Sequence, residues 1–106
     1  MSEEADRIRK EVDKICADIS RKGGVTGIIA MTSDGRPIRT DFPNTETYLY
    51  SDLVARFVQR TKKSFEEIPD VGEIETIRIR SKKNELIVAP YGNFILIVVQ
   101  DPFSKN

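Results

Sequence analysis

The sequence predicts an α+β domain in which a five-stranded antiparallel sheet carries helices on both faces. Two helical patterns and five strand patterns follow in the order helix, strand, strand, helix, strand, strand, strand. Residues 94–99 are six consecutive apolar positions without alternation, and Pro102 follows too soon for a buried helix. Such a run is typical of a central strand covered on both faces, which requires a helix on each side.

Residues 3–22 predict the first helix. Apolar side chains recur along it at helical spacing and most other positions are charged, which is the pattern of an amphipathic helix. Gly23 and Gly24 are suited to end it. The apolar positions are Ile8, Val12, Ile15, Cys16 and Ile19.

A β-hairpin is predicted next, with strands at residues 25–32 and 37–40. The turn between them contains Asp34 and Gly35, a pair that tolerates positive φ. Pro37 falls on the first residue of the returning strand, where the missing N–H does least harm.

Residues 45–67 predict the second helix, with Asn44 or Thr45 as its N-cap. Its apolar arc is wider than one face of a sheet requires, so we expect part of this helix to pack against another subunit. Tyr48 and Tyr50 either widen that arc or are ordinary surface residues. The arc contains Leu49, Leu53, Val54, Phe57, Val58, Thr61, Phe65 and Ile68.

Three strands follow at residues 74–80, 85–89 and 94–99. In the first of them Ile77 and Ile79 alternate with charged and polar residues, the period of two that marks a half-exposed strand. This strand is predicted to form an edge of the sheet, where charged side chains protect the unpaired backbone groups unless a partner pairs there.

The composition favours a single domain, residues 1–106, without an enzymatic centre. The chain has no histidine and one cysteine, which removes the commonest general base and leaves no zinc site, so neither a metal nor a cofactor is expected. Cys16 is predicted to be a small buried hydrophobe rather than a reactive thiol. Because no apolar run reaches membrane-spanning length or begins the chain, we expect an intracellular protein without a membrane partner.

Five stretches together resemble roadblock-type dynein light chains in order and spacing. They are GVTGII at residues 24–29, DGRPI at 34–38, IRIRSKKNE at 77–85, VAP at 88–90 and FILIVVQ at 94–100. The part from residue 78 to residue 90 is the most specific. The second helix, the connector at residues 69–73 and the turn at 91–93 keep less of the family's sequence, which suggests a divergent paralogue tied to axonemal motors.

The resemblance implies a non-catalytic light chain of a dynein motor complex. Such a protein is a homodimer, or a heterodimer with a roadblock paralogue, that binds the dynein intermediate chain and supports motor assembly and microtubule-based movement. The implied location is the cytoplasm and cytoskeleton, or the ciliary or flagellar axoneme. The mechanism is assembly, because a dimeric adaptor makes the second binding event intramolecular.

The family also implies where the partners meet. The edge strands pair across a two-fold axis into one continuous sheet, the second helices pack together on one face, and carboxylates at Glu73, Glu75 and Glu85 are candidates to balance the arginines. The expected dimer interface consists of Leu53, Phe57, Arg60, Glu75, Ile77, Arg78, Ile79 and Arg80. The expected contacts to other partners are Tyr50, Val54 and Arg56.

Two other functions compete with the light-chain prediction. A regulator or scaffold of a small GTPase occurs elsewhere in the roadblock superfamily, and Arg56 or Arg60 would be the residue to suspect if it activated hydrolysis directly. Nucleic-acid binding through the basic residues between 78 and 83 is not expected, because the net charge is +0 and no aromatic residues lie among them.

Overall fold

The computed structural model describes residues 3–103 and confirms the predicted order of elements and the five-stranded antiparallel sheet. The strands lie side by side in the order β2-β1-β5-β4-β3, so β2 and β3 are the two edges. The elements are α1 (Glu3–Ser20), β1 (Val25–Thr32), β2 (Pro37–Thr40), α2 (Asn44–Phe65), β3 (Ile77–Arg80), β4 (Glu85–Tyr91) and β5 (Phe94–Gln100).

Most boundaries fall within two residues of the prediction, and β3 is the exception. The sequence pattern predicts it from residue 74, but it begins at Ile77, which pairs with Val88 of β4. In that register Glu75 would lie opposite Pro90. Tyr91 and Phe94 close the tight turn into β5, so backbone alternation turns Pro90 toward β3. Pro90 has no N–H to donate there. The β3–β4 ladder therefore begins at Ile77 and does not include residues 74–76.

The sheet has a hydrophobic cluster on each face, which confirms that helices cover both sides. The central strand β5 alternates between them, with Ile97 facing α2 and Val98 facing α1. The cluster on the α2 side contains Ile29, Met31, Val54, Ala55, Val58, Val88, Ile95, Ile97 and Val99. The cluster on the α1 side contains Val12, Cys16, Ile28, Ala30, Leu96 and Val98.

Gly27 lies in β1 under the ring of Phe42, and we predict that this close approach makes Gly27→Ala destabilising. An added Cβ would stand 2.6 Å from Cζ of Phe42, and that ring is itself held against Tyr50 at a centroid distance of 5.6 Å. Overpacking of this kind costs about 1–3 kcal/mol of unfolding free energy, measurable by urea denaturation. The double variant Gly27→Ala/Phe42→Leu should be less destabilised than the sum of its parts. Additive effects would show that the ring and the glycine are not coupled.

Candidate protein interaction surface

Helix α2 buries one face and leaves an apolar stripe exposed beside it. The buried residues are Thr47, Ser51, Val54, Ala55 and Val58. Leu49 and Leu53 are 67% and 59% exposed, and Phe57 on the next turn is half-buried. These three residues follow at i, i+4 and i+8 and form one continuous stripe, the α2 flank. Exposed leucines in a continuous stripe are typical of an interaction surface rather than of scattered surface residues.

The edge strand β3 presents its apolar residues to the same side of the sheet as the α2 flank. Ile77 packs against the cluster under α2, and Ile79, two residues further along, is 40% exposed. Strand alternation places both on the α2 side. Strand β4 is the only neighbour of β3 among the described strands, so the outer backbone groups of β3 have no strand partner. An apolar stripe and an open sheet edge therefore share one side of the molecule.

The predicted site residues other than Val54 are either exposed or half-buried. Leu53, Arg60 and Ile79 are exposed and accessible to a partner. Tyr50 is half-buried against Phe42. The remaining predicted interface residues are half-buried or exposed on α2 and near β3: Phe57, Glu75, Ile77, Arg78 and Arg80.

Val54 requires a correction. It is 2% exposed and lies in the cluster between α2 and the sheet, so its side chain has no surface to offer and the predicted partner contact is not compatible with the fold. The broad apolar arc of α2 contains both core and surface positions, and the spacing alone did not separate Val54 from its neighbour Leu53.

The two arginines singled out on α2 differ in their surroundings. Arg56 Nη2 donates to Asp52 Oδ2 at 3.0 Å, and both side chains are more than 70% exposed. Such a surface pair contributes little to stability, but it neutralises Arg56 locally. Arg60 is exposed and forms no ion pair within residues 3–103. Arg60 is therefore the arginine of α2 that is available to a partner.

On the α1 side of the sheet, β3 and β4 are joined by charged side chains. Arg78 donates from Nη2 to Glu85 Oε1 at 3.0 Å and from Nε to Oε2 at 3.3 Å, and Gln100 Nε2 donates to the same Oε1 at 2.7 Å. These hydrogen bonds, the one from Arg78 first, lower the pKa of Glu85 below its usual value. Arg80 lies over the ring of Phe103 at 5.3 Å. The arginines of β3 are thus engaged on the side opposite the α2 flank.

The Glu85 carboxylate predicts a pH-dependent contribution to stability. Because its pKa is lowered in the folded state, the contribution is present at pH values above the pKa of an unfolded glutamate and disappears as the pH falls through the folded pKa. Urea unfolding of the wild type and Glu85→Gln should give different midpoints at pH 7 that converge in acid. Glu67→Gln in the exposed connector is the control for loss of a negative charge. A difference that persisted unchanged into acid would contradict the role assigned to ionised Glu85.

From the end of α2 onward, the structure shows an apolar and acidic connector whose exposed apolar side chains the sequence analysis did not predict. Phe65, Ile68 and Val71 are 41%, 48% and 45% exposed, and residues 66–75 contain five carboxylates and no basic residue. An open groove of about 670 Å³ lies between this connector, the end of α2 and the end of β4. The signal in the sequence was the alternation of apolar residues with carboxylates in a turn-rich segment, a pattern that leaves apolar side chains at the surface. The connector carries the acidic charge of this region up to the start of β3.

The sequence analysis expected neither a metal site nor a membrane partner, and the described residues bear on both expectations. Between residues 3 and 103 there is no group of three or more histidine, cysteine or acidic residues arranged to hold a metal ion. In the same range no helix combines the length and the apolar character needed to cross a membrane.

Comparisons with known proteins bear on the fold and the family. A family model described as the Roadblock/LC7 domain matches residues 11–101. Myxococcus xanthus MglB superposes with a TM-score of 0.77 at 16% identity, covering 90% of this chain and 79% of that one. The gliding protein MglB of Thermus thermophilus gives 0.75 at 13%, covering 91% and 75%. A Roadblock/LC7 domain from Streptomyces avermitilis gives 0.74 at 12%, covering 82% and 74%. At these identities the similarity to solved structures shows a shared fold.

Proposed function

Because this chain belongs to the Roadblock/LC7 domain family, we propose that it is a non-catalytic, dimeric adaptor that scaffolds or regulates a small GTPase. The observation that carries the proposal is the α2 flank, an exposed apolar stripe on the same side of the sheet as the open β3 edge. The flank suits a protein partner, and neither the flank nor the edge has the residues of a catalytic centre.

Dimerisation covers both the α2 flank and the open edge of β3. Pairing of two β3 edges across a two-fold axis gives partners to the outer backbone groups, and it brings the two α2 flanks together on one side of the joined sheet. Burial of Leu49 and Leu53 removes most of their exposed apolar surface from water, which stabilises the association by about 25 cal/mol per Å². The paired helices then form a composite surface that neither subunit has alone.

The small-GTPase function is the alternative to a dynein light chain, and the comparisons support it better. The similar structures reported above are bacterial roadblock and gliding proteins. Binding of the dynein intermediate chain and an axonemal location remain predictions that these structures do not support. The cytoplasm and cytoskeleton are retained as the proposed location.

In this function the chain acts by binding and makes no bond. An adaptor that contacts one nucleotide state of a GTPase more strongly than the other shifts the partner toward that state in proportion to the difference in affinity. Arg60, exposed on the flank side of α2, supplies a guanidinium to that contact. If the chain also stimulates hydrolysis, an exposed arginine of α2, Arg56 or Arg60, is the residue to suspect.

The test is capture from native extract of the source organism with immobilised chain, in parallel with a non-hydrolysable GTP analogue and with GDP. We expect a small GTPase, identified by mass, whose recovery depends on the nucleotide and is lost with Leu53→Lys. The control variant Tyr48→Lys changes a residue of similar exposure, 63%, elsewhere on the same helix. Recovery of dynein heavy and intermediate chains without a GTPase would overturn the proposal in favour of the light chain.

A further inference from the structure

We propose that the turn between β3 and β4, together with Phe103, is a contact site for an anionic membrane surface. The contact is peripheral: basic side chains reach the lipid headgroups and the Phe103 ring enters the interface between headgroups and acyl chains. The sequence analysis expected no membrane partner because no apolar run could cross a membrane, and a peripheral contact requires no such run. The inference goes beyond the proposed function and does not depend on it.

The β3–β4 turn presents two lysines on a hydrogen-bonded support. The Ser81 N–H donates to Asn84 O at 2.8 Å, Ser81 Oγ donates to the same oxygen at 3.1 Å, and the Asn84 N–H donates to Ser81 Oγ at 3.1 Å. Lys82 and Lys83 are the two residues between them, and both are exposed. The turn therefore holds two ammonium groups at the projecting end of a hairpin.

Strand pairing brings further basic side chains to the same end of the sheet. Neighbouring residues across the four strands β3, β4, β5 and β1 are Arg80, Glu85, Gln100 and Val25. Since adjacent strands lie about 4.8 Å apart, the outermost two of these residues are separated by roughly 14 Å. Lys22, three residues before β1, is also exposed. The basic residues at this end thus come from two distant parts of the chain.

Positive charge is in excess at this end of the sheet. Two ion pairs cancel their own charges, Arg78 with Glu85 and Arg21 with Asp18. Against the remaining basic residues stand Asp101 and, beyond β1, Asp41. The basic residues that form no ion pair within residues 3–103 are Lys22, Arg80, Lys82 and Lys83.

Phe103 supplies the apolar part of the site. Its ring is 70% exposed, although the Arg80 guanidinium carbon lies 5.3 Å from the ring centroid. The backbone around it is anchored, because the Phe103 N–H donates to Asp101 Oδ1 at 2.9 Å and the Asp101 N–H donates to Gly24 O at 2.8 Å. An exposed aromatic ring beside a cluster of basic side chains is suited to the interface of an anionic membrane, where the ring and the cations are both stabilised.

The net charge of +0 does not oppose this contact, because the charges are separated along the molecule. Residues 66–75 contain five carboxylates and no basic residue, whereas residues 77–83 contain four basic residues and no carboxylate. Strand β3 lies between the two groups, and its three residue steps span about 10 Å. That distance is already a Debye length at physiological salt. An anionic surface therefore attracts the turn and repels the connector, which orients the chain with the turn toward the membrane.

The shape of the site favours a lipid surface over nucleic acid. Proteins that bind single strands use a positively charged groove in which several aromatic rings stack on successive bases. Here one ring, Phe103, stands beside a hairpin end that projects from the sheet. A projecting end can lie against a membrane surface without a groove. The proposed cytoplasmic location also exposes the chain to the leaflet that carries anionic lipids.

The experiment is sedimentation of the full chain with vesicles of phosphatidylcholine, with and without phosphatidylserine. We expect the wild type to bind only the vesicles that contain phosphatidylserine, and Lys82→Gln/Lys83→Gln to lower the partition coefficient about tenfold or more. The matched control is Lys62→Gln/Lys63→Gln, which removes the same charge from another adjacent pair of exposed lysines, at the end of α2. Its effect should be about twofold or less, and circular dichroism verifies that each variant is folded.

Phe103→Ser tests the apolar part of the site separately. It should lower the partition coefficient about fivefold or more without changing the charge. Tyr48→Ser is its control, because Tyr48 is a 63% exposed aromatic residue on α2. Added salt should weaken binding of the wild type more than binding of Lys82→Gln/Lys83→Gln, since salt screens the contribution of the lysines.

The outcomes decide between this site and its alternatives. A wild type that sediments with neither kind of vesicle, or equally with both, would overturn the proposal. Equal losses from the two lysine pairs would show that net charge alone governs binding, which also overturns the site. Binding of single-stranded oligonucleotides without binding of vesicles would assign the turn to nucleic acid instead. The adaptor proposal is tested by nucleotide-dependent capture through Leu53, so each proposal can fail while the other stands.

Discussion

Leu53→Lys is expected to convert the proposed dimer into folded monomers. In the single chain Leu53 is 59% exposed, so the substituted side chain reaches water without disturbing the core. In the proposed dimer the same position is buried between two helices, close to Arg56 and Arg60 on the following turns of α2. A buried ammonium without a carboxylate costs several kcal/mol, which corresponds to about a hundredfold or greater loss of dimer affinity.

Light scattering over a concentration series measures the loss, and circular dichroism with a melting curve shows that the monomer is folded. Tyr48→Lys is the matched control. It introduces the same charge at 63% exposure but lies five residues from Leu53, about 140° around the helix. A Leu53→Lys variant with the mass and affinity of the wild type would show that the α2 flank is not the dimer interface.

The order of elements could be predicted because each has its own period in the sequence. The apolar spacing of α1, the alternation around Ile77 and the uninterrupted run of β5 are local patterns that the structure reproduces. The covering of β5 on both faces also followed from the sequence, because a strand with no polar face has no side to expose to water.

The start of β3 could not be predicted from its own residues. Ile74 and Thr76 suit a strand as well as Ile77 does, and what separates them is the strand opposite. Pro90 is sixteen residues after Ile74, and its effect on β3 depends on the register that pairs Ile77 with Val88. A missing donor on a neighbouring strand is a tertiary constraint that the local pattern does not contain.

Which residues of α2 are buried and which are exposed could likewise not be predicted from the local pattern, because it depends on how the helix packs on the sheet. Leu53 and Val54 are adjacent and both apolar, but they are 59% and 2% exposed. Which of them faces the sheet depends on the rotation of the helix, and an apolar arc that is wider than the sheet contact does not fix that rotation. Buried Ser51, which also faces the core, shows that small polar residues can occupy the inner face.

Ile97→Ala and Ile79→Ala are expected to separate stability from association. Both isoleucines lie on the α2 side of the sheet. Ile97 is 0% exposed in the central strand, flanked by Ile29 and Val88, and its truncation leaves a cavity that costs about 2–5 kcal/mol of unfolding free energy. Ile79 is 40% exposed on the edge, and its truncation should cost the monomer roughly 1 kcal/mol or less.

Each substitution is best measured in two backgrounds, because the unfolding of a dimer includes its dissociation. In monomeric Leu53→Lys, urea unfolding reports the cost to the fold, and Ile97→Ala should show nearly all of the effect. In the otherwise wild-type chain, dimer affinity should fall with Ile79→Ala, because in the proposed dimer β3 and the α2 flank are covered by the same second copy. An Ile79→Ala variant with unchanged affinity would mean that the side of the sheet bearing the α2 flank stays open, and the partner would then have to be sought elsewhere on the molecule.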